Sequence, residues 1–159
     1  MKLSTVTRYG LRALSDLCSQ GHGKPVTVSD ISRRQDISAS YLEQLFAKLR
    51  RGNIVRSVRG ARGGYLLTRP ASEITVAEVV RALGESIVFG DCQTEAGCSN
   101  LPHCRTSRLW GKVKDSIDTI LESTTLDEIT EGGETSFISE DEVLSPKLSG
   151  GIDNAKRVS

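Results

Sequence analysis

Three of the four cysteines in this 159-residue chain fall in one stretch, 91–110 (DCQTEAGCSNLPHCRTSRLW), as Cys92, Cys98 and Cys104, with five residues in each gap. Thiolates are soft ligands that suit zinc and iron-sulfur clusters, and a loop of Gly, Ser, Asn and Pro lets three of them converge on one centre. Both gaps exceed the C-x2-4-C pairs usual in zinc modules. On the loop alone, buried thiols, a disulfide and unrelated surface cysteines remain alternative readings. Cys18 lies on an apolar helical stripe and reads as a small core side chain. His22, between two glycines, reads as a solvated loop residue. No nucleophile-base-acid set is visible, His103 being the lone candidate base near the cysteines, so the expectation is that the chain is not an enzyme.

What must position these thiols follows from composition and periodicity. Hydrophobic residues make up 37% of the chain and aromatics 4%, enough for one modest aliphatic core. No apolar run is long enough to span a bilayer and MKLSTVTRYG lacks the apolar core of a signal peptide, so a cytoplasmic protein with no membrane partner is expected. In a reducing compartment, clustered cysteines favour metal or redox chemistry over disulfides. The net charge of +1 conceals an asymmetry. Residues 1–70 carry 13 Lys or Arg against 4 Asp or Glu, net +9, and residues 71–159 carry 8 against 16, net −8. A basic half is the electrostatic footprint of a nucleic-acid surface, although a solvated basic face has the same composition.

Val6, Tyr9, Ala13, Leu14, Leu17 and Cys18 recur at helical spacing, with Ser4 or Thr5 as cap, and GHGKP at 21–25 ends the helix. Thr27 and Asp30 open a short second helix to Gln35, and Ser38 caps a third from Ala39 to Arg51 that stops at Gly52-Asn53. Leu42, Leu45, Phe46 and Leu49 line one side of this third helix. Ser40, Glu43, Gln44, Ala47, Lys48 and Arg51 occupy the other. Two helices on a short turn, the second polar outward, read as a helix-turn-helix. Strand-like runs at 54–59 and 65–68 flank GARGG, a hairpin tip carrying Arg59 and Arg62 that can approach DNA closely, the pattern of a winged helix. The glycines do not fit a nucleotide-binding fingerprint. Thr75 and Glu78 cap a fourth helix ending near Gly84. A last long helix, Thr106 to Ser123, carries Trp110, Val113, Ile117, Ile120 and Thr124 as a seam suited to a second copy of the chain or, alternatively, to packing on the first helix. A short capped turn follows at 125–129.

The fold expected is mostly α, a winged helix-turn-helix with a small β-hairpin wing and a long C-terminal dimerisation helix. Its parts are a DNA-binding domain at 1–84, a cysteine-rich loop at 85–105, a dimerisation helix with short cap at 106–129 and a disordered tail at 130–159.

MKLSTVTRYGLRAL, SASYLEQLFAKLR, VRGARGGYLL and the three-cysteine loop together resemble the winged-helix transcriptional regulator family of the iron-sulfur cluster regulator IscR, from the first residue to about Ile129. The resemblance implies a homodimeric regulator of double-stranded DNA, activator or repressor, whose promoter choice is tuned by a cluster, most often [2Fe-2S], and which has cluster-assembly proteins as partners. It places Ser40, Glu43 and Gln44 on the base-reading face, Tyr41 at the adjacent backbone and Arg59 in the minor groove. In that family a histidine follows the last cysteine by three residues; here Ser107 stands there. Ser107 or His103 is then the candidate fourth ligand, and a three-cysteine [4Fe-4S] cluster is the other choice. Relatives that recruit a ligand from the first helix have it where this chain has Arg8, which cannot ligate. Zinc-stapled or cluster-free regulators of the same fold, and an electron-transfer or cluster-delivery protein, are the rival readings.

Overall fold

The computed structural model describes residues 4–88, 93, 97–100 and 103–131. Cys92 lies outside the described residues, as does the tail expected to be disordered (130–159) except for its first two residues, which are helical. Six helices and one hairpin follow in the order α1 (Thr5–Gly21), α2 (Val28–Gln35), α3 (Ala39–Arg51), β1 (Val55–Val58), β2 (Gly64–Leu67), α4 (Val76–Ala82), α5 (Ser107–Ser123) and α6 (Leu126–Glu131). A 3-10 turn at Ala71–Glu73 precedes α4. The architecture is a winged helix-turn-helix followed by a long helix.

Side-chain caps start the helices where the sequence places them. The hydroxyls of Ser4, Thr27, Ser38 and Thr75 each accept from a backbone N–H three residues on. At Thr75 the Glu78 carboxylate also accepts from the Thr75 N–H at 2.9 Å, completing a capping box. Leu14, Ile31, Leu42, Phe46, Leu49 and Leu83 are buried in one core. α1 and α2 are also joined by polar contacts. Arg34 clamps both carboxylate oxygens of Asp16 at 2.6 to 3.2 Å, Gln35 donates to Asp16 at 3.1 Å, and Arg12 donates to the Gln35 carbonyl at 2.6 Å. The Asp16 side chain is only 4% exposed, so this pair fixes the angle between the helices more than it adds stability.

The hairpin is antiparallel, with Val55 opposite Leu67 and Val58 opposite Gly64. β1 is shorter than the run expected at 54–59, and β2 has the length of the run expected at 65–68 but begins one residue earlier. Gly64, expected in the connection, is instead the first residue of β2. A Cβ there would lie 2.4 Å from the Val26 carbonyl oxygen, where Val26 and Tyr65 exchange backbone hydrogen bonds at 2.8 and 3.0 Å. At the end of α3, Asn53 rather than Gly52 takes the left-handed conformation, at φ 56°. Gly52 meets a different need, because Ala82 leaves no room for a side chain there.

One element has a larger role than its length suggests. α6 returns to the winged-helix body, and Leu126 is fully buried in the same core as α1. The join is sealed by Val76 N–H to Thr124 O and Leu126 N–H to Ile74 O, both at 2.9 Å. Burying that leucine contributes about 2 kcal/mol.

Candidate nucleic-acid interface and cysteine site

The outer face of α3 is built by its apolar inner face. With Leu42, Leu45, Phe46 and Leu49 directed into the core, Ser40, Glu43, Gln44 and Arg51 fall about 100° per residue around to solvent, and all four are exposed. Ser40, Glu43 and Gln44 lie one turn apart on the N-terminal half, the part of a recognition helix that reaches base edges. Gln matches an adenine edge in two bonds, Glu accepts from a cytosine amino group and Ser serves either strand. Tyr41 is half-buried, its ring edge-on to Tyr9 of α1 at 6.0 Å, so it fixes α3 to the body while its margin faces outward.

At the wing, Gly63 N–H donates to Gly60 O at 2.9 Å, closing a four-residue turn in which Arg62 is a central residue and which Arg59 immediately precedes. Both guanidinium groups are exposed. Gly60 takes φ 114°, and a Cβ at Gly63 would lie 2.4 Å from Val58 O, so the tip is narrow because its glycines allow no alternative.

Lys48 corrects the sequence reading. Its ammonium, expected on the DNA face, donates to the carbonyl of Leu83 at 3.0 Å, and the residue is half-buried. Lys48 lies at the margin of the outer face, and the unmatched carbonyls at the end of α4 attract a cation. Arg50, not singled out from the sequence, is exposed about two turns beyond Glu43 on the same side of α3; its signal was the row of cations in the last turn of α3.

Of the three loop cysteines, Cys98 and Cys104 are described, both as half-buried free thiols. Among the described residues no three or more His, Cys, Asp or Glu side chains are grouped to hold a metal ion. Cys104 nonetheless has the surroundings of a ligand. Its sulfur lies 3.3 Å from the Thr106 hydroxyl, and the Thr106 and Ser107 N–H groups at the start of α5 point to it. These donors, Thr106 first, hold the thiol below its ordinary value, the direction that favours metal ligation. Cys18 is the opposite case: burial, with the Asp127 carboxylate beside it, pushes its thiol up to about 11. In the metal-free protein, iodoacetamide near neutral pH should therefore modify Cys104 well before Cys18. Peptide mass spectrometry would show the difference narrowing only as the pH approaches that of Cys18 ionisation.

The two candidate fourth ligands differ. Ser107 is half-buried at the first position of α5 and donates its hydroxyl hydrogen to the Cys104 carbonyl at 2.9 Å. An alkoxide would have to surrender that bond. His103 is exposed, in the turn closed by its own N–H to Asn100 O at 3.0 Å. Thr106, beside the Cys104 sulfur, is a neighbour of the candidate site that the sequence did not single out.

α5 has no buried residue. Lys114, Asp118 and Leu121 lie toward α4, while Leu109 is 54% and Ile120 60% exposed, and Trp110 is 39% exposed. Leu109, Val113 and Ile120 fall on one open stripe. No helix among the described residues is long and apolar enough to cross a membrane.

Residues 3–132 match the Rrf2 family, described as "Iron-dependent Transcriptional regulator". The HTH-type transcriptional regulator IscR of Photorhabdus laumondii is 43% identical over 157 residues, which span 99% of this chain and 90% of that one. IscR of Escherichia coli is 42% identical over 139 residues, 87% and 86% of the two chains. Among solved structures, T. potens IscR is similar with a TM-score of 0.68 at 38% identity, covering 83% and 88%. CymR, the global cysteine regulator of B. subtilis, is similar with a TM-score of 0.69 at 30% identity, covering 83% and 98%.

Proposed function

Since the chain belongs to the Rrf2 family of iron-dependent transcriptional regulators, we propose that it is a homodimeric, cytoplasmic DNA-binding regulator whose promoter choice is set by an iron-sulfur cluster on Cys92, Cys98 and Cys104. It is a DNA-binding transcriptional regulator and not an enzyme, as are the relatives it matches. The observation that carries the cluster reading is Cys104, whose sulfur lies 3.3 Å from the Thr106 hydroxyl at the N-terminus of the helix that also bears the open apolar stripe. One residue range thus joins the metal site to the interface that spaces two recognition helices. Those helices must match half-sites about one helical turn apart, roughly 34–36 Å.

When bound, the cluster supplies a redox-sensitive and nitric-oxide-sensitive tie between the loop and α5. The chain's own residues do the rest. Ser40, Glu43 and Gln44 read bases, Tyr41, Arg51, Arg59 and Arg62 hold backbone and minor groove, and the Thr106 hydroxyl supports the Cys104 sulfur. The cluster is [2Fe-2S] in this reading, with Ser107 or His103 completing the ligand set and [4Fe-4S] as the alternative. Cluster-assembly proteins are its source.

Anaerobic purification followed by iron, sulfide and zinc analysis with Mössbauer spectroscopy tests this. Iron and sulfide in equal amounts are expected, with a spectrum altered by Ser107→Ala or by His103→Ala. Zinc without iron in a colourless protein would establish a stapled regulator instead. Glu43 adds a separate expectation. A carboxylate facing DNA rejects bases that offer it no donor, at about 1–3 kcal/mol per unmatched contact. Glu43→Ala should keep or broaden binding in a gel-shift titration, and loss of all affinity would contradict that role.

A further inference from the structure

The C-terminal end of α4 is closed first by its own backbone. Gly84, at φ 76°, lets its N–H reach Arg81 O at 2.9 Å and the Glu85 N–H reach Val80 O at 3.1 Å. This closure satisfies two of the orphan carbonyls and leaves that of Leu83 outside it. Lys48 of α3 fills the gap, its ammonium 3.0 Å from Leu83 O and at the negative end of the α4 dipole. Among the described residues this is the single side-chain hydrogen bond between α3 and the end of α4.

Two steric observations point to the same place. At Gly52, the C-cap of α3, a Cβ would lie 2.4 Å from the Cβ and 3.0 Å from the Cα of Ala82, so the two helix ends meet with only the Ala82 methyl between them. At Gly10 of α1 a Cβ would lie 2.5 Å from Leu83 Cδ1. Leu83 is therefore held by its side chain in a notch of α1 and by its carbonyl on α3, and it is fully buried. Immediately beyond it the chain runs into the cysteine segment, 85–105.

We propose that Lys48 is a positioning residue that latches the recognition helix to the end of α4, so that a change in the cysteine segment pulling on Leu83 moves α3 instead of dissipating in the loop. This rests on the reading of the cysteines as a cluster site, although the latch itself consists wholly of described residues. A lysine so engaged is not a phosphate contact. Its contribution is to the coupling between two sites, which by linkage acts equally in both directions.

The test uses Lys48→Met, which keeps the apolar stem without the charge, and Lys48→Arg, which keeps a donor. A DNA duplex enriched by the full-length protein from a randomised pool serves as probe. In the metal-free wild type, the duplex should slow amide hydrogen exchange both in α3 and across 82–88. Lys48→Met should lose the second effect and keep the first, while Lys48→Arg retains both. In iron-loaded protein, the ratio of DNA affinities with and without metal should collapse toward one in Lys48→Met and persist in Lys48→Arg. Three results would overturn the latch. One is an unchanged affinity ratio with a salt-dependence slope lowered by about one in both forms, the mark of a phosphate contact. Another is a lower melting temperature with exchange pattern and ratio unchanged, which is mere structural support. The third is a wild type in which the duplex leaves 82–88 unaffected. If the wild type takes up no iron, the cluster reading fails while the metal-free exchange arm still decides the latch.

Discussion

The double variant Leu109→Glu with Ile120→Glu is expected to be a folded monomer that has lost on the order of 10²–10⁴-fold in affinity for a two-half-site duplex. The two residues lie eleven apart in α5, about three turns, and so share one face, and they are the most exposed of its large apolar side chains. Charges there forbid a dry helix-helix seam. Neither residue belongs to the buried core, so the winged helix itself should be intact. Light scattering gives the mass, a gel-shift titration gives the affinity, and a thermal scan should stay within a few degrees of the wild type. A dimer that survives both charges would place the interface elsewhere.

Phe46→Ala should have the largest effect on stability, about 3–5 kcal/mol. The ring is fully buried and lies 4.6 Å from that of Tyr65 on β2, so it is the joint between recognition helix and wing. Truncation leaves a cavity that helix and hairpin cannot both close, because Gly64 already presses β2 against Val26. The melting temperature should fall by roughly 10–20 °C. Phe46→Leu, which keeps most of the volume, should lose far less in the same thermal scan. If the alanine variant melts within a few degrees of the wild type, the two parts are not joined through this ring.

Most of the helical frame was legible because its signals are local. Each cap is a single hydroxyl three residues before the N–H it satisfies, and the stripe from Leu42 to Leu49 declares the inner face of α3 and so, by subtraction, its outer one. What was not legible depends on residues far apart in the chain. α6 is too short to show a period, so nothing local reveals that Leu126 belongs in the core. Gly52 and Gly64 read as turn residues, yet each is glycine because a backbone from another element approaches it. Lys48 read as one more cation on a basic helix until the carbonyl of Leu83 appeared beside it. At the cysteine site the spacing announced ligands, but the lowered pKa of the Cys104 thiol comes from how Thr106 and Ser107 begin the next helix, a geometric property.

The return of the chain after α5 bears on how assembly and folding are related. α5 packs along α4, and the chain after it rejoins the core at Thr124–Leu126, so α5 is fastened to its own protomer along one side and at its end. Among the described residues the core closes within one chain. If two copies associate through α5, dilution is therefore expected to separate them without melting either one. A cell making few copies of such a protein would hold a reserve of folded single subunits, and abundance itself, by mass action, would govern how many operators are occupied.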